Sequence, residues 1–456
     1  MRRILGPRAR RDSQGESWSG RSLFVAAPIF LLSAAFFLAR TGRDALYFHG
    51  RGLFDLPLAY AAIALLSLPM AVLMLSLMRR LGARRTRVVA PLGLAALLVG
   101  YFLLARPGGG LLMTGFFVLV PLAFGVLFSV SWLLAADLLD RAPRPELVRA
   151  YSVVGAASIL GGMAGGLAAR AGAIVFEPRA LVLASAALLL GASGIMAQAQ
   201  QTCPPRPPLP GTSEVRSSPG LADFRSVLAN RYSLLLLAIG MTASLAGILV
   251  EFQFYLAAAT SGHSVRQNAH FFANAYLALN LAALLVQLVV LPPLERLVGV
   301  EGSLLVLPTA LLGGAATLLA SAGTLMRSAL RIAEGGLKAS IHRASWEQAF
   351  LPLTRAHRAA AKLLVDGAGA RLAEGAAAAG LYLWLHAGMP GRAALARMPV
   401  EMAMLGRSPT WLAWLLLGTS LLWILLTRGI GRRLGALVAS GQEGVEHRAE
   451  IPVPDT

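Results

Sequence analysis

The sequence predicts an all-α integral membrane protein with twelve transmembrane helices. Of its 456 residues, 56% are hydrophobic and only 14% are charged, and the mean hydropathy is +0.66. Soluble domains carry about 25% charged residues, so this composition excludes an ordinary soluble protein. The apolar residues form long continuous runs, whereas strands of a transmembrane β-barrel alternate apolar and polar residues over about ten positions. Helices are therefore predicted.

Twelve segments reach the length of about 20 mostly apolar residues that a membrane-spanning helix needs. The first follows a basic stretch and has no small-residue cleavage signal, so it is predicted to be a retained anchor and not a removed signal peptide. The predicted spans are 22–48, 57–78, 86–104, 111–136, 149–169, 179–197, 232–259, 268–291, 303–323, 324–350, 362–386 and 409–428.

The excess of positive charge predicts the orientation in the membrane. The chain has 41 Lys and Arg against 22 Asp and Glu, a net charge of +19. Nucleic-acid binding would need a soluble basic face, whereas these arginines separate apolar runs, so no nucleic-acid partner is expected. With twelve spans, 26 of the 41 cations fall at the two termini, in alternate loops or at the span ends that border them. Cytoplasmic loops are rich in Lys and Arg, which predicts that both termini are cytoplasmic.

The chain is predicted to contain two six-helix halves joined by a Pro/Ser-rich linker. A shift of 214 positions pairs Trp132 with Trp346 and Gly155 with Gly369, at matching places in the two halves. Two parallel six-helix repeats, with the substrate site at their interface, are typical of major facilitator transporters. The predicted segments are a basic N-terminal tail (1–21), the first bundle (22–197), the linker (198–226), the second bundle (227–428) and a C-terminal tail (429–456).

A charged stripe marks the tenth predicted span. Arg327, Arg331, Glu334, Lys338 and His342 follow one another at steps of three or four residues, so on a helix they share an arc of about 80°. Buried charge is costly in hydrocarbon unless it faces a cavity or a partner. The stripe is interpreted as the wall of a pathway for an anionic solute. The alternative is a set of internal salt bridges around Glu334 that fixes helix packing.

Further charges lie within or beside other predicted spans. Arg40, Arg43 and Asp44 occur in the motif RTGRDALYF of the first span, where the alternative is that the arginines extend to the membrane interface. We expect these residues to act with the others in substrate binding or in coupling. The remaining candidates are Glu251 in the seventh span, Glu347 in the tenth, and Lys362, Asp366 and Arg371 in the eleventh. Glu347 follows Arg343 by four residues, so the two are expected to pair on the helix surface.

The chain resembles the ATP/ADP carrier family, which exchanges nucleotides in plastids and intracellular bacteria. The resemblance spans about residues 22–428 and rests on RTGRDAL, on LVE at Glu251, on EQAFLPL from Glu347 and on KLLVDGAGARL from Lys362. It implies twelve helices, no covalent chemistry, a charged substrate and a bacterial inner membrane. The positions that match charged positions of the family are Arg43, Asp44, Glu251, Glu347, Lys362, Asp366 and Arg371.

The sequence departs from the family pattern at several of these sites. Arginine stands at Arg43 and tryptophan at Trp346, where the family commonly has lysine, and arginine and lysine grip phosphate differently. After Glu251, Phe254 and Tyr255 replace a family tryptophan and lysine. The chain therefore looks closer to the broader bacterial relatives of the carriers.

Other functional classes receive less support from the sequence. A phosphate-binding loop of a pump and an HExxH motif are both missing, and the single cysteine, Cys203, has no zinc-like spacing to histidines. We therefore predict no enzyme, no metal and no cofactor, although His263, His270, His342 and His357 leave an acid/base role open. The favoured prediction is a secondary transporter of a small anionic solute, with ATP/ADP exchange as its specific form. A transport-inactive membrane scaffold is the alternative.

Overall fold

The computed structural model describes residues 7–48, 52–104, 110–139, 144–202, 221–261, 264–321, 323–350, 352–353, 355–386 and 410–449. Within these residues the regular secondary structure is entirely helical. In the first part of the chain the helices are α1 (Pro7–Phe48), α2 (Gly52–Leu81), α3 (Ala83–Leu104), α4 (Gly110–Leu139), α5 (Arg144–Val175) and α6 (Ala180–Thr202).

The second part begins with a short helix that precedes the seventh span. Its helices are α7 (Leu221–Ala229), α8 (Arg231–Ala259), α9 (Val265–Leu285), α10 (Leu291–Ala320), α11 (Thr324–Leu337), α12 (Arg343–Ala349), α13 (Arg355–Lys362), α14 (Ala370–His386) and α15 (Thr410–Ala449). Helix α10 is kinked at Gly299, whose φ of 65° leaves the helical region. Predicted linker residues 203–220 lie outside the described residues.

The prediction of an all-α membrane protein is confirmed. In the part of the chain that the structure describes, ten helices are long and apolar enough to cross a membrane, and they match the first nine predicted spans and the twelfth. The tenth and eleventh spans are each built from two α-helices joined by a π-helical turn. These two spans carry more charged residues than the others. Their hydropathy is lower for this reason, and they are not among the ten long apolar helices.

Three π-helical turns interrupt the predicted spans, at Val286–Val290, Lys338–His342 and Leu363–Gly369. A π-turn adds a residue to the helical turn and is frequently found at functional sites. Two of the three include candidate charged residues: Lys338 begins the second turn, and Asp366 lies within the third. The regular 3.6-residue spacing assumed for the charged stripe therefore holds from Arg327 to Lys338 and changes after it.

The described residues pack into two compact units. Unit 1 comprises those within Met1–Ser213, Tyr255–Leu284 and Ala378–Ala403, and unit 2 comprises those within Glu214–Phe254, Leu285–Ala377 and Met404–Thr456. In unit 1, α1 packs against α4, α5 and α6 around a core that includes Leu32, Phe124 and Leu189. In unit 2, α10 packs against α11 and α15. The predicted bundle boundaries at 22–197 and 227–428 stay a prediction.

Small residues allow α5 to approach α1 closely in unit 1. A Cβ added to Gly161 or Gly165 would collide with the backbone of Phe30 or Ala34, respectively. Interhelical contacts in membranes depend on such close approach, since small residues let two backbones meet. The motif GGMAGG at residues 161–166 therefore brings the backbones of α5 and α1 into close contact.

Replacing Gly165 with alanine is expected to lower the free energy of unfolding by about 1–3 kcal/mol, the usual cost of overpacking. The added Cβ would lie less than 3.0 Å from backbone atoms of Ala34, so the helices must separate. Thermal unfolding of the detergent-solubilised protein measures the change. The matched control is Gly155→Ala in the same helix, where an added Cβ finds open space. Equal melting shifts in the two variants would contradict the packing argument.

Candidate functional site

A buried carboxylate organises the charged residues of unit 1. Asp44 in α1 is 0% exposed. The Arg43 side chain contacts its Oδ1 atom at 2.5 Å through Nη2, and Arg40 Nε lies 3.6 Å from Oδ2. The hydroxyls of Tyr255 and Tyr276 donate to the same Oδ2, the former at 3.2 Å. We call these five residues the Asp44 cluster.

Aromatic rings cover the two arginines of the Asp44 cluster. The Arg43 guanidinium lies 4.0 Å from the ring centre of Phe117 in α4, and its Nη1 donates to the Phe117 carbonyl at 3.3 Å. The Arg40 guanidinium lies 4.4 Å from the Tyr276 ring. Such cation–π contacts stabilise a cation most where water is excluded. With two arginines and one carboxylate, the cluster has a net charge of +1.

The burial of Arg43 bears on one of the two sequence interpretations of the first span, that its arginines extend to the membrane interface. Its side chain is 4% exposed, so it does not extend to an interface, and the alternative of a snorkelling residue is wrong for Arg43. Arg40 is the more accessible of the two arginines, although it too is mostly buried. The cluster is a packed, hydrogen-bonded centre, and only Arg40 borders open space.

Unit 2 contains a second set of charges that runs from a buried to an open end. Arg331 Nη2 in α11 contacts Glu251 Oε1 in α8 at 3.2 Å, and Arg331 Nη1 donates to Glu334 Oε2. The ammonium of Lys338 lies 3.4 Å from Glu334 Oε1. Glu334 is 2% exposed, whereas the Lys338 side chain is 49% exposed. We call these four residues the Glu334 network.

The backbone of α8 makes room for the open end of this network. Gly247 lies one turn before Glu251, and a Cβ there would come within 3.1 Å of Lys338 Nζ and 3.5 Å of Glu334 Oε1. A larger residue would therefore press on the Lys338 ammonium and contact the Glu334 carboxylate. Glu374 in α14 interacts electrostatically with Lys338 and Glu251.

The neighbouring pair in α14 extends the same charge pattern. Arg371 donates to Glu374 one turn later in the helix. Together with the Glu334 network, these residues give three cations and three carboxylates. This part of unit 2 is therefore charge-balanced, and an incoming ion would compete with existing pairs.

A third group joins α12 to α13 and the π-turn that follows. The Lys362 ammonium donates to Glu347, and the Trp346 Nε1 donates to Asp366 Oδ1 at 3.0 Å. The expected i,i+4 partner of Glu347 was Arg343; the structure instead pairs Glu347 with Lys362, because α13 brings that ammonium beside it. Arg343 interacts electrostatically with Asp366.

The eleven predicted site residues thus fall into three groups. Arg40, Arg43 and Asp44 meet in unit 1, and Glu251, Arg331, Glu334, Lys338 and Arg371 belong to one charged region of unit 2. Glu347, Lys362 and Asp366 form the remaining group. The sequence interpretation missed the roles of Tyr255, Tyr276 and Gly247 as partners. The sequence contained one indication: Gly247, Glu251 and Tyr255 are spaced four residues apart, which places them on one face of a helix.

Two of the four candidate histidines have defined side-chain neighbours. His342 is buried between the rings of Trp346 and Trp423, at ring-centre distances of 5.7 and 5.3 Å. His357 Nε2 lies 3.0 Å from the Ser233 hydroxyl. His270 is half-buried in α9, and His263 lies outside the described residues. Among the residues that the structure describes, no three His, Cys, Asp or Glu side chains are grouped to hold a metal.

Solved transporters share the fold of this chain. A nucleoside transporter, NupG, is similar with a TM-score of 0.59 and 13% identity, over 89% of this chain and 98% of that one. A bacterial homolog of the human lysosomal transporter Spinster is similar with a TM-score of 0.56 and 14% identity, over 90% of this chain and 98% of that one. PepTSo, of the POT family, is similar with a TM-score of 0.57 and 12% identity, over 92% of this chain and 98% of that one.

These similarities establish the fold, which is that of major facilitator-type transporters. The identities of 12–14% are too low to carry over a substrate. No protein-family model matches the sequence, and no curated protein is similar to it in sequence. The comparisons therefore show the fold, and the function must be argued from the charged groups described above.

Proposed function

We propose that this protein is a secondary transporter that moves a small anionic solute across the membrane by alternating access. One observation carries the proposal: the Glu334 network is buried at Glu334 and open at Lys338. Ionisable residues within membrane-spanning segments are costly and characteristically line a solute or ion pathway. The transporter fold of the chain is consistent with this function.

The geometry suggests how an anion would bind. Lys338 is half-exposed and stands 3.4 Å from Glu334, longer than the 2.7–2.9 Å typical of strong charge-assisted hydrogen bonds. An anionic group can therefore become its partner without first breaking a tight ion pair. Glu334 keeps its bond to Arg331, so the displaced carboxylate is not left as an unpaired buried charge.

The same exchange of partners offers a way to couple binding to a conformational change. A ligand shifts an equilibrium only by its difference in affinity for the two states. We propose that the state in which Lys338 is released from Glu334 binds the anion more tightly. Glu251 and Arg331 would then hold α8 to α11 through the exchange. The other candidate groups remain predicted contributors to binding and gating.

We further propose that nucleotides are among the transported anions. The support is the resemblance to the ATP/ADP carriers at Glu347, Lys362, Asp366 and Arg371, three of which are joined by the contacts of the third group. Because the sequence has no phosphate-binding loop for hydrolysis, exchange or an ion gradient must supply the driving force. ATP and ADP thus head the list of solutes to test.

Uptake into vesicles containing the purified protein tests the proposal. Labelled ATP, ADP, phosphate and simple carboxylates are compared with an uncharged nucleoside. We expect anions to enter, and Lys338→Gln to raise the apparent KM for the transported anion about tenfold, since one charge-assisted contact is lost. Arg225→Gln, an exposed position in α7, is the matched control and should transport normally.

Ligand-dependent stability distinguishes failed transport from a wrong function. A solute at a hundred times its Kd stabilises the folded protein by about 2.7 kcal/mol. Stabilisation by an anion, lost in Lys338→Gln, would support the site. Stabilisation that survives Lys338→Gln would contradict it. If no solute is transported and none stabilises the wild-type protein, the transporter proposal fails in favour of a membrane scaffold.

A further inference from the structure

A groove in unit 1 has the features of a second binding site. It lies between the beginning of α3 and the end of α6, has a volume of about 370 Å³, and is lined by Arg84, Arg85 and Gln200 among apolar residues. Ligand sites typically measure about 300–1,000 Å³ and combine apolar walls with a few polar groups. The membrane-crossing segment of α3 begins here at Arg84, and that of α6 ends here at Thr202. The groove is therefore at the level expected for lipid headgroups.

A tight connection creates the positive side of this groove. Gly82 alone joins α2 to α3, and its φ of +78° is a left-handed conformation that glycine adopts without strain. The connection places Arg84 and Arg85 in the first turn of α3. The exposed backbone N–H groups of a helix N-terminus add partial positive charge. The described lining includes two cations and no carboxylate, and its accessible wall is almost entirely apolar. The groove therefore suits an amphiphilic anion better than a free one.

Gln200 supplies the observation that distinguishes the ligand. Its side chain is 6% exposed, and its Nε2 donates to the Met196 carbonyl at 3.1 Å. Its backbone carbonyl accepts from Arg84 Nη2 at 2.6 Å. Among the described residues, its buried Oε1 has no hydrogen-bond donor. An unpaired buried acceptor destabilises the fold, so a bound molecule with a donor would complete the site.

We propose that this groove binds the headgroup of an anionic phospholipid of the phosphatidylglycerol type. The phosphodiester would contact Arg84 and Arg85. A glycerol hydroxyl would donate to Gln200 Oε1 once the amide turns toward the groove, since this oxygen is buried in this structure. The acyl chains would continue over the apolar side of the groove at Leu81, Val88 and Val89. Basic groups at a membrane surface attract anionic lipids.

Charge and shape favour this lipid over two other ligands. An ethanolamine headgroup carries an ammonium that the two arginines would repel, although it could donate to Gln200. Free phosphate would satisfy the arginines but leave the apolar lining, Leu81, Val88 and Val89, without contact. The site consists of residues of α2, α3 and α6, none of which belongs to the Glu334 network, so the proposal does not depend on the transported solute.

Native mass spectrometry of the full-length protein can measure the lipids that it retains. Phosphatidylglycerol is compared with phosphatidylmethanol, which has the same phosphodiester charge and no hydroxyl, and with phosphatidylethanolamine. The wild-type protein should prefer phosphatidylglycerol over both. R84Q/R85Q should reduce its retention by at least about tenfold, because both charge-assisted contacts to the phosphodiester are lost. The matched control is R225Q/R266Q, which removes the same charge from exposed positions in α7 and α9.

A separate variant tests the contact between the glycerol hydroxyl and Gln200. Gln200→Met keeps a side chain of similar size but removes the acceptor, so it should bind phosphatidylglycerol and phosphatidylmethanol equally. Arg85→Gln, at an exposed side chain, gives the charge test if the double variant does not fold. Equal lipid retention in Arg85→Gln and in Arg225→Gln, which also removes one charge, would overturn the proposal. So would displacement of the lipid by inorganic phosphate at equal concentration, or an unchanged headgroup preference in Gln200→Met.

Discussion

Replacing Asp44 with asparagine is expected to lower the free energy of unfolding by about 3–5 kcal/mol, the scale measured when one partner of a buried ion pair is removed. Asparagine has nearly the same shape, so the change isolates the loss of charge. Arg43 would remain 4% exposed with no compensating carboxylate in the Asp44 cluster. The hydroxyls of Tyr255 and Tyr276 would also lose the anionic acceptor that they share.

The measurement is thermal unfolding of the purified protein, together with the yield of folded protein after solubilisation. Glu177→Gln is the matched control, because Glu177 and Arg179 form an exposed pair at 2.9 Å and exposed pairs contribute little. The double variant R43M/D44L should recover part of the loss, since apolar replacement of a whole buried pair is tolerated better than removal of one partner. Equal losses for Asp44→Asn and Glu177→Gln would contradict the structural role of the cluster.

The membrane-spanning helices were predictable because hydropathy is a local property. A span needs about 20 apolar residues in sequence, and nine consecutive predicted spans and the last correspond to long apolar helices. The tenth and eleventh spans were also predicted from their apolar length, although the charges within them lower their hydropathy. Their π-turns were not predictable, since the sequence shows no residue that marks the inserted position at Lys338–His342 or Leu363–Gly369.

The candidate sites were predictable only where the partners share a helix. Arg331, Glu334 and Lys338 are spaced by three and four residues, so their contacts follow from helical geometry. Asp44 and Tyr276 are 232 residues apart, and the sequence contains no local pattern that pairs them. The same difficulty applies to Trp346 and Asp366, which meet through the packing of separate helices.

The two charged centres differ in a way that separates stability from function. The carboxylate of the Asp44 cluster is saturated with donors, and its arginines are covered by rings, so its chemistry is complete without a ligand. The Glu334 network ends in a half-exposed ammonium with a long contact to its carboxylate. A centre that is fully satisfied resists change, whereas one with an open, replaceable contact can respond to a solute. We therefore expect mutations in the first to affect folding most and mutations in the second to affect transport.

Replacing Arg331 with glutamine is expected to reduce transport of the anionic solute by at least about tenfold, which corresponds to roughly 1.4 kcal/mol. The change removes the cation that joins Glu251 to Glu334. The remaining network would have two carboxylates and Lys338 as its only cation, so its net charge would become −1. An anion approaching Lys338 would then be repelled, and Lys338 would be held more strongly by Glu334.

Arg331→Lys distinguishes the bridging geometry from the charge itself. Lysine keeps the positive charge but lacks the planar fork that contacts two carboxylates at once, so transport should fall less than in Arg331→Gln. Initial rates of labelled-anion uptake, normalised to folded protein, measure both effects, with Arg266→Gln at an exposed position of α9 as the charge-matched control. If Arg331→Gln transports as well as Arg266→Gln, the bridge between α8 and α11 has no part in transport. If Arg331→Lys fails as completely as Arg331→Gln, the double contact of the guanidinium, and not its charge, is what transport requires.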